Sequence, residues 1–200
     1  MDGKEVNKLQ NLDNRGKEDE GKSVEHLSTK LTIMSVAFHN MECSHLPPEP
    51  DTGERYSWVP FPCNNFVDLI LEGFFLSEQD RSKTFLEIGC GIGTKVMLAD
   101  VLFEAHGFDI TEEYLELARK LGCKRVFQAD MMSYNNFGDF DLLYFYAGSK
   151  DVSLQREFEN RIHQQMKVGA LLAPMHTAVN WNKMSGMKKV SSFWYLKESA

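Results

Sequence analysis

Three glycines on alternate positions, Gly89, Gly91 and Gly93, follow a short apolar run, Phe85–Ile88. The apolar run predicts a buried parallel strand. Glycines in this spacing let the backbone turn sharply and approach a ligand that any Cβ atom would block. The mostly apolar stretch 95–104 has no proline or glycine and predicts a helix. Strand, loop and helix start together predict a nucleotide cradle with exposed backbone N–H groups facing the ligand.

A carboxylate follows at the offset that such a cradle needs. The segment 107–110 predicts the end of a second strand and contains Asp109. Asp109 lies about twenty residues beyond Gly89, the offset at which an acid reaches ribose hydroxyls in Rossmann-type units. The succession of strand, loop, helix, strand and acid therefore predicts a site for a nucleoside-containing cofactor.

This pattern resembles the first motif of the class I S-adenosylmethionine-dependent methyltransferases, acid-x-Gly-x-Gly-x-Gly. Glu87, Gly89, Gly91 and Gly93 match it position for position. A dinucleotide dehydrogenase typically has Gly-x-Gly-x-x-Gly, and the position that would need glycine holds Thr94. Glu87 would also repel a pyrophosphate but accommodate the ammonium group of a methionine moiety. The residues thus favour S-adenosylmethionine over NAD as the cofactor.

The resemblance covers about residues 84–176, through a third strand over 125–128, a fourth over 140–146 and a fifth over 170–175. It implies that Asp130 bonds the adenine amino group and that the backbone N–H of Met131 meets the adenine ring. A turn-capping aspartate is the alternative interpretation of Asp130. The cofactor-binding residues that the resemblance implies are Glu87, Gly89, Cys90, Gly91, Gly93, Asp109, Ile110, Asp130, Met131 and Tyr146.

Acceptor-facing residues would come from the carboxyl ends of the fourth and fifth strands. Tyr146 could stabilise a methylating cation through its ring face, and His176 could accept a proton. These two are the candidate catalytic residues, although a strand aromatic and a lone histidine also have ordinary structural interpretations. Further residues expected near this edge are Tyr144, Ser149, Asp151 and Trp181.

The acceptor itself stays open between a protein side chain and a small molecule. The Asn/Asp-Pro-Pro-Tyr/Phe signature of amino-group methylation is absent after the fourth strand, where residues 146–149 read Tyr-Ala-Gly-Ser. Before the core, the segment 56–62, with Tyr56 and Trp58, is similar over a few residues to the segment preceding the core in protein-lysine methyltransferases. Packing is the interpretation that we favour for these two aromatic residues.

The predicted fold class is α/β, a Rossmann-like doubly wound sheet with helices on both faces. The sheet is expected to be mostly parallel, with an antiparallel strand over 191–197 and a shorter strand over 177–182. One helix of the family's sheet is expected to be missing or reduced there. The predicted organisation is a flexible polar segment over 1–25, a helical extension over 26–80 and an S-adenosylmethionine-binding core over 81–200.

Composition narrows the function classes. The net charge of −7 argues against non-specific binding to nucleic acid, which depends on basic side chains. No run of about eighteen apolar residues predicts a membrane span, and the charged N-terminus is unlike a secretory signal. Four scattered cysteines without C-x-x-C spacing predict reduced thiols, no metal site and a cytoplasmic protein.

Three functional hypotheses follow. The first is an active S-adenosylmethionine-dependent methyltransferase. The second is a non-catalytic relative that binds the cofactor as a sensor or scaffold, suggested by the short stretch after His176. The third is a Rossmann oxidoreductase that uses a nicotinamide cofactor.

Overall fold

The computed structural model of the protein describes residues 25–42, 63–147 and 149–199. The expectations for residues 1–24 of the polar segment and for Tyr56 and Trp58 concern parts of the chain outside these ranges.

One sheet of seven strands forms the centre of the protein. The strands are β1 Thr84–Ile88, β2 Glu104–Asp109, β3 Val126–Gln128, β4 Leu142–Tyr146, β5 Leu171–Met175, β6 Met187–Lys189 and β7 Tyr195–Lys197. Their order across the sheet is β3-β2-β1-β4-β5-β7-β6. Strands β1 to β5 pair in parallel, whereas β7 is antiparallel to both β5 and β6. The mostly parallel sheet with an antiparallel strand near the C-terminus is confirmed.

Helices cover both faces of this sheet. They are α1 at residues 25–42, α2 Cys63–Leu76, α3 Thr94–Ala99, α4 Glu112–Lys120 and α5 Val152–Gln165. Side chains of α1 to α4 join one apolar cluster, and those of α5 join a second cluster on the other face. The doubly wound arrangement is therefore confirmed. None of the described helices has the length and apolar composition needed to cross a bilayer.

The strand order reverses between β1 and β4, the two central parallel strands. Chain leaving β1 crosses to β2 on one side, and β4 leads to β5 on the other. In open α/β sheets such a reversal leaves a crevice at the carboxyl ends of the strands, and ligands bind there. The glycine loop follows β1 directly and so lies at this position.

An apolar stripe of α1 packs on the core. Leu31 is fully buried, and Leu27, Met34 and Phe38 are partly buried against the same cluster. This stripe recurs at steps of three and four, so it lies on one side of the helix. Its contacts tie α1 to the face of the sheet that carries α2 and α3.

The last strand, β7, is also fixed from that face. Trp194, directly before it, is fully buried, and its Nε1 donates a hydrogen bond of 2.9 Å to the Leu69 carbonyl on α2. A buried indole N–H needs such a partner. The contact links the end of the chain to the helix that precedes the sheet.

Strands β3, β4, β5 and β7 each begin later than the sequence predicted, and two larger differences concern a helix and a strand. The helix expected over 95–104 ends at Ala99, because Glu104 already pairs in β2 and its N–H donates to the Lys83 carbonyl at 3.0 Å. The strand expected over 177–182 is wrong. The Asn180 side chain accepts the Asn182 N–H and starts a 3-10 turn, and β6 forms later, at Met187–Lys189. Between β5 and β6 the described chain has this turn and no α-helix, as expected.

Candidate cofactor and acceptor site

The glycine loop, residues 89–93, joins β1 to α3 through left-handed backbone conformations. Gly89 has φ 76° and Gly93 has φ 74°, values that residues with a Cβ atom rarely adopt. A Cβ atom at Gly89 would meet no atom within 4 Å, whereas one at Gly93 would lie 2.9 Å from the Cys123 Sγ. Gly89 therefore leaves open space at the loop, and Gly93 lets the loop pack tightly against its neighbours.

The backbone amides of this loop are already bonded, contrary to the expectation of exposed N–H groups. The N–H groups of Gly89 and Cys90 both donate to the Phe108 carbonyl on β2, each at 2.9 Å. The Gly91 N–H donates to the Asp109 Oδ2, also at 2.9 Å. The expectation is wrong for these three amides because the end of the neighbouring strand supplies their acceptors. What the loop offers a ligand is space and nearby carboxyl groups.

Asp109 ends β2 beside the loop, where the sequence predicted a ribose-binding acid. Its Oδ2 accepts the Gly91 N–H, and its Oδ1 accepts the Thr111 N–H at 2.9 Å. The side chain is half-buried. Each carboxylate oxygen has a second lone pair, so the held carboxylate keeps the capacity to accept hydroxyl groups.

Glu87, the acid of the motif, is buried on β1, the strand next to β2. It is 2% exposed, and its Oε1 lies 3.9 Å from the Nζ of Lys95 on α3. The pKa of Glu87 is raised from 4.5 to about 8, mainly by burial; the Lys95 ammonium opposes this rise, and the charges of Glu42 and Asp109 contribute to it. The electrostatic coupling places three carboxyl groups around the start of the cradle.

Glu42 reaches this cluster from α1. It is 1% exposed, and its Oε1 accepts a hydrogen bond from the Thr94 hydroxyl at the start of α3. The second oxygens of Glu42 and Glu87 are buried and have no hydrogen-bond partner among the described residues. Such an oxygen costs about 1–3 kcal/mol unless something donates to it. Two unpartnered carboxyl oxygens, one from Glu87 before the glycine loop and one from Glu42 bonded to Thr94 after it, fit a ligand that carries cationic or N–H groups.

Cys90 lies in the loop but turns its side chain inward. The thiol is 5% exposed, and a Cβ atom at Gly107 of β2 would lie 2.8 Å from the Cys90 Cβ. Burial raises the pKa of this thiol well above its ordinary value. Only the backbone of Cys90 is thus available to a cofactor in the crevice.

The residues predicted for the adenine side lie together at the ends of β2 and β3. The Gln128 Nε2 donates to the Ile110 carbonyl at 3.0 Å and ties the two strand ends. Ile110 is 37% exposed, an apolar surface on which a base could lie. The Asp130 Oδ1 accepts the Met132 N–H at 2.9 Å, which is the turn-capping role, and Met131 packs partly against the second cluster.

On the acceptor side, the structure brings Tyr146 and His176 together. Their ring centroids are 4.6 Å apart in an edge-on arrangement at the ends of β4 and β5. His176 has φ 54° and Ala147 has φ 37°, unusual for residues other than glycine. The other residues predicted near this edge differ: Tyr144 and Trp181 are buried in the two clusters, and Asp151 caps α5.

Sequence reasoning missed four polar residues near the site. Lys95 and Glu42 were absent from the prediction, as were Gln155 and Glu159 on α5, all of them buried. The spacing of Gln155 and Glu159, four apart beside the apolar stripe of α5, is a signal that could have shown them. Nothing in the sequence pairs Glu42 with the cradle, because the contact joins positions 52 residues apart.

Comparison with known proteins gives a structural match and no sequence match. No protein-family model matches the chain, and no curated protein does. A mutant of MtNAS solved in complex with S-adenosylmethionine superposes with a TM-score of 0.50 at 17% identity, over 67% of this chain and 62% of that one.

Two further solved structures are similar at lower scores. SAM-bound CalS10, an amino pentose methyltransferase from Micromonospora echinaspora, has a TM-score of 0.48 at 19% identity over 56% of this chain and 49% of its own. An S-adenosylmethionine-dependent methyltransferase from Clostridium acetobutylicum has a TM-score of 0.45 at 19% identity over 64% and 58%. The chain spans about half the length of the first of these proteins. From its strand order, its glycine loop and the MtNAS superposition, the chain has the fold of the class I S-adenosylmethionine-dependent methyltransferases.

Proposed function

We propose that the protein is an S-adenosylmethionine-dependent methyltransferase that acts on a protein side chain or a small molecule. The proposal rests on the site at the β1–β4 reversal and on a fold that also occurs in a protein solved with S-adenosylmethionine.

One observation carries the choice of cofactor. Glu42, Glu87 and Asp109 couple electrostatically around the glycine loop, with Lys95 as the cation paired to Glu87. A methionine ammonium, a sulfonium and a ribose diol suit such a surrounding, because carboxyl oxygens accept from all the donors among them. The pyrophosphate of NAD would instead meet three acids.

Each residue has a role in this proposal. The open space at Gly89 admits the methionine portion against the main chain. Glu87 and Glu42 face its ammonium group with their unpartnered oxygens. Asp109 accepts the ribose hydroxyls, and Ile110 and Met131 flank the base, with Asp130 as its hydrogen-bond partner. S-adenosylmethionine, when bound, supplies the electrophilic methyl group.

Tyr146 and His176 face the acceptor in this proposal. Transfer is an in-line displacement, so the protein has chiefly to hold the nucleophile in line and keep water away. The Tyr146 ring is placed to stabilise developing positive charge, and His176 to accept the proton that the acceptor loses. Their 4.6 Å separation makes them one unit.

Calorimetry with S-adenosylmethionine, S-adenosylhomocysteine and NAD tests the cofactor. We expect the first two to bind and NAD to fail, and binding of NAD alone would refute the proposal. Transfer of a labelled methyl group from S-adenosylmethionine into a fractionated lysate then tests the activity. A labelled fraction identifies the acceptor class, whereas tight cofactor binding with no labelled fraction would favour a sensor or scaffold.

A further inference from the structure

A third buried acid lies on the other face of the sheet, away from the cofactor residues. Glu159 on α5 is fully buried. Its Oε1 accepts from the Gln155 Nε2 and from the Ala178 N–H, both at 2.7 Å, and its Oε2 accepts from the Val179 N–H at 3.1 Å. Three donors therefore satisfy this carboxylate, and two of them are backbone amides of the loop after β5.

Gln155 extends the same chain of hydrogen bonds to the loop after β4. It is 3% exposed, and its Oε1 accepts the Ser149 N–H at 2.9 Å. The Ser149 hydroxyl in turn accepts the Asp151 N–H at 3.1 Å. One turn of α5 thus bonds to both the loop after β4 and the loop after β5.

Both loops hold backbone strain next to the candidate acceptor-facing rings. Ala147 and His176 have positive φ, which costs on the order of 1–3 kcal/mol each and persists only where the surroundings fix it. The Ala147 N–H donates to the Met175 carbonyl at 3.0 Å, so the two loops also bond to each other. Tyr146 precedes one strained residue, and its ring contacts the other.

Packing alone does not explain an acid at position 159. Phe158 and Ile162 on the same helix are fully buried in the apolar cluster, so apolar side chains suit this face. Replacing a buried charge by a well-packed hydrophobe is often neutral or stabilising. An acid here has a use that a leucine lacks: it can accept two backbone amides at once.

We infer that Glu159 is a positioning residue that sets the relative placement of Tyr146 and His176 through the loops after β4 and β5. It holds the second loop directly at Ala178 and Val179 and the first through Gln155 and Ser149. The role of these rings toward an acceptor rests on the proposed function, whereas the hold on the loops does not.

Amide hydrogen exchange in the intact 200-residue chain tests whether Glu159 holds these loops. Glu159→Gln replaces one accepting oxygen by an amino group, which cannot accept, so the Ala178 or Val179 amide should exchange at least about tenfold faster. Glu157→Gln is the matched control, since Glu157 is exposed on the same helix and the chemical change is identical. It should leave both amides unchanged.

Gln155→Met tests the hydrogen bond to the loop after β4 separately from those to the loop after β5. Methionine fills a similar volume but cannot accept the Ser149 N–H, so exchange should accelerate at Ser149 while Ala178 and Val179 stay protected. The ring current of Tyr146 gives a second signal, a displaced proton resonance of His176. That displacement should shrink in Glu159→Gln and persist in Glu157→Gln.

Two results would overturn the inference. One is unchanged exchange at Ala178 and Val179 in Glu159→Gln. The other is faster exchange there together with an equal acceleration in β1, which would make Glu159 a residue of general stability. Calorimetry with S-adenosylmethionine keeps the proposals apart: Glu159→Gln should bind it as the unmodified protein does. Failure of the unmodified protein to bind would sink the proposed function and leave the hydrogen-exchange result standing.

Discussion

Glu87 and Glu159 are both buried acids, on opposite faces of one sheet, and their surroundings differ. Three donors satisfy Glu159, two of them from a single loop. Glu87 has an ammonium group at 3.9 Å from one oxygen and no hydrogen-bond partner among the described residues for the other. Burial raises the pKa of Glu87 to about 8, so near neutral pH its carboxyl group keeps its proton.

The difference separates an acid that organises the fold from one that awaits a partner. A satisfied buried carboxylate fixes the groups that donate to it. A buried carboxyl group without such donors lowers stability unless a ligand supplies them, and such groups concentrate at functional sites. By this criterion we expect the face with Glu87 to bind a ligand and the face with Glu159 to support the loops around it.

The contrast between the two acids fails if the glycine loop next to Glu87 binds no ligand. Gly89→Val is the variant with the largest expected effect on that binding. A valine there would fill the open space and should weaken S-adenosylmethionine binding by about 100-fold, because overpacking costs about 1–3 kcal/mol. Gly169→Val is the control: Gly169 has φ 86°, similar open space, and a position before β5 at the opposite edge. Calorimetry should show a loss for the first variant and none for the second.

Asp109→Ala tests the ribose end of the same face. Removing a charge-assisted contact to hydroxyl groups should weaken cofactor binding by about 1.5–3 kcal/mol. The Gly91 N–H also loses its acceptor, so part of this loss comes from a looser loop. Asp139→Ala, in the exposed turn before β4, should not change the dissociation constant. Equal affinity in both variants would remove Asp109 from the site.

The pH dependence of binding sharpens the role of Glu87. A bound cation favours the ionised carboxylate, so near neutral pH binding should release a proton, and affinity should rise toward a pH above about 8. Glu87→Gln should bind about tenfold more weakly than the unmodified protein at high pH and nearly equally below about pH 6. Glu159→Gln should keep the unmodified pH profile. Calorimetry in buffers of different ionisation enthalpy gives the number of protons released on binding. If no proton is released, the cation of the cofactor does not face Glu87.

Stability without ligand should also depend on pH, with a sign opposite to that of binding. The folded pKa of Glu87 lies above its ordinary value of 4.5, so between about pH 4.5 and 8 the folded state holds more protons than the unfolded state. Stability from this group is present at low pH and is lost as pH rises through this window. Glu87→Gln should therefore be more stable than the unmodified protein above about pH 8, by on the order of 5 kcal/mol, because one unit of pKa shift is worth about 1.4 kcal/mol. Urea unfolding at several pH values measures it, and parallel curves would contradict it.

What the sequence predicted well depends on neighbours along the chain. The glycine loop after β1 and the acid that ends β2 lie within one strand-helix-strand unit, and period and spacing suffice to find them. Tyr146 and His176 were predicted from strand ends alone, and the parallel pairing of β4 and β5 brings them together. These positions share a cause, since the topology follows from the alternation of elements.

The features that the sequence did not predict depend on contacts between distant segments. The amides of Gly89 and Cys90 are bonded because β2 places the Phe108 carbonyl over them, which no local pattern shows. The partner of Thr94 comes from α1, and the partner of Glu159 from the loop after β5. Such side-chain hydrogen bonds are set by packing, and periodicity carries no information about them.

The place of β7 between β5 and β6 bears on how the protein is made. Its residues, Tyr195–Lys197, come last among the described strands, yet β5 and β6 have no pairing with each other without them. During synthesis the ribosome therefore releases the parallel half of the sheet well before the other half can close. Until Lys197 emerges, the outer edge of β5 has no pairing strand and stays open to a foreign strand.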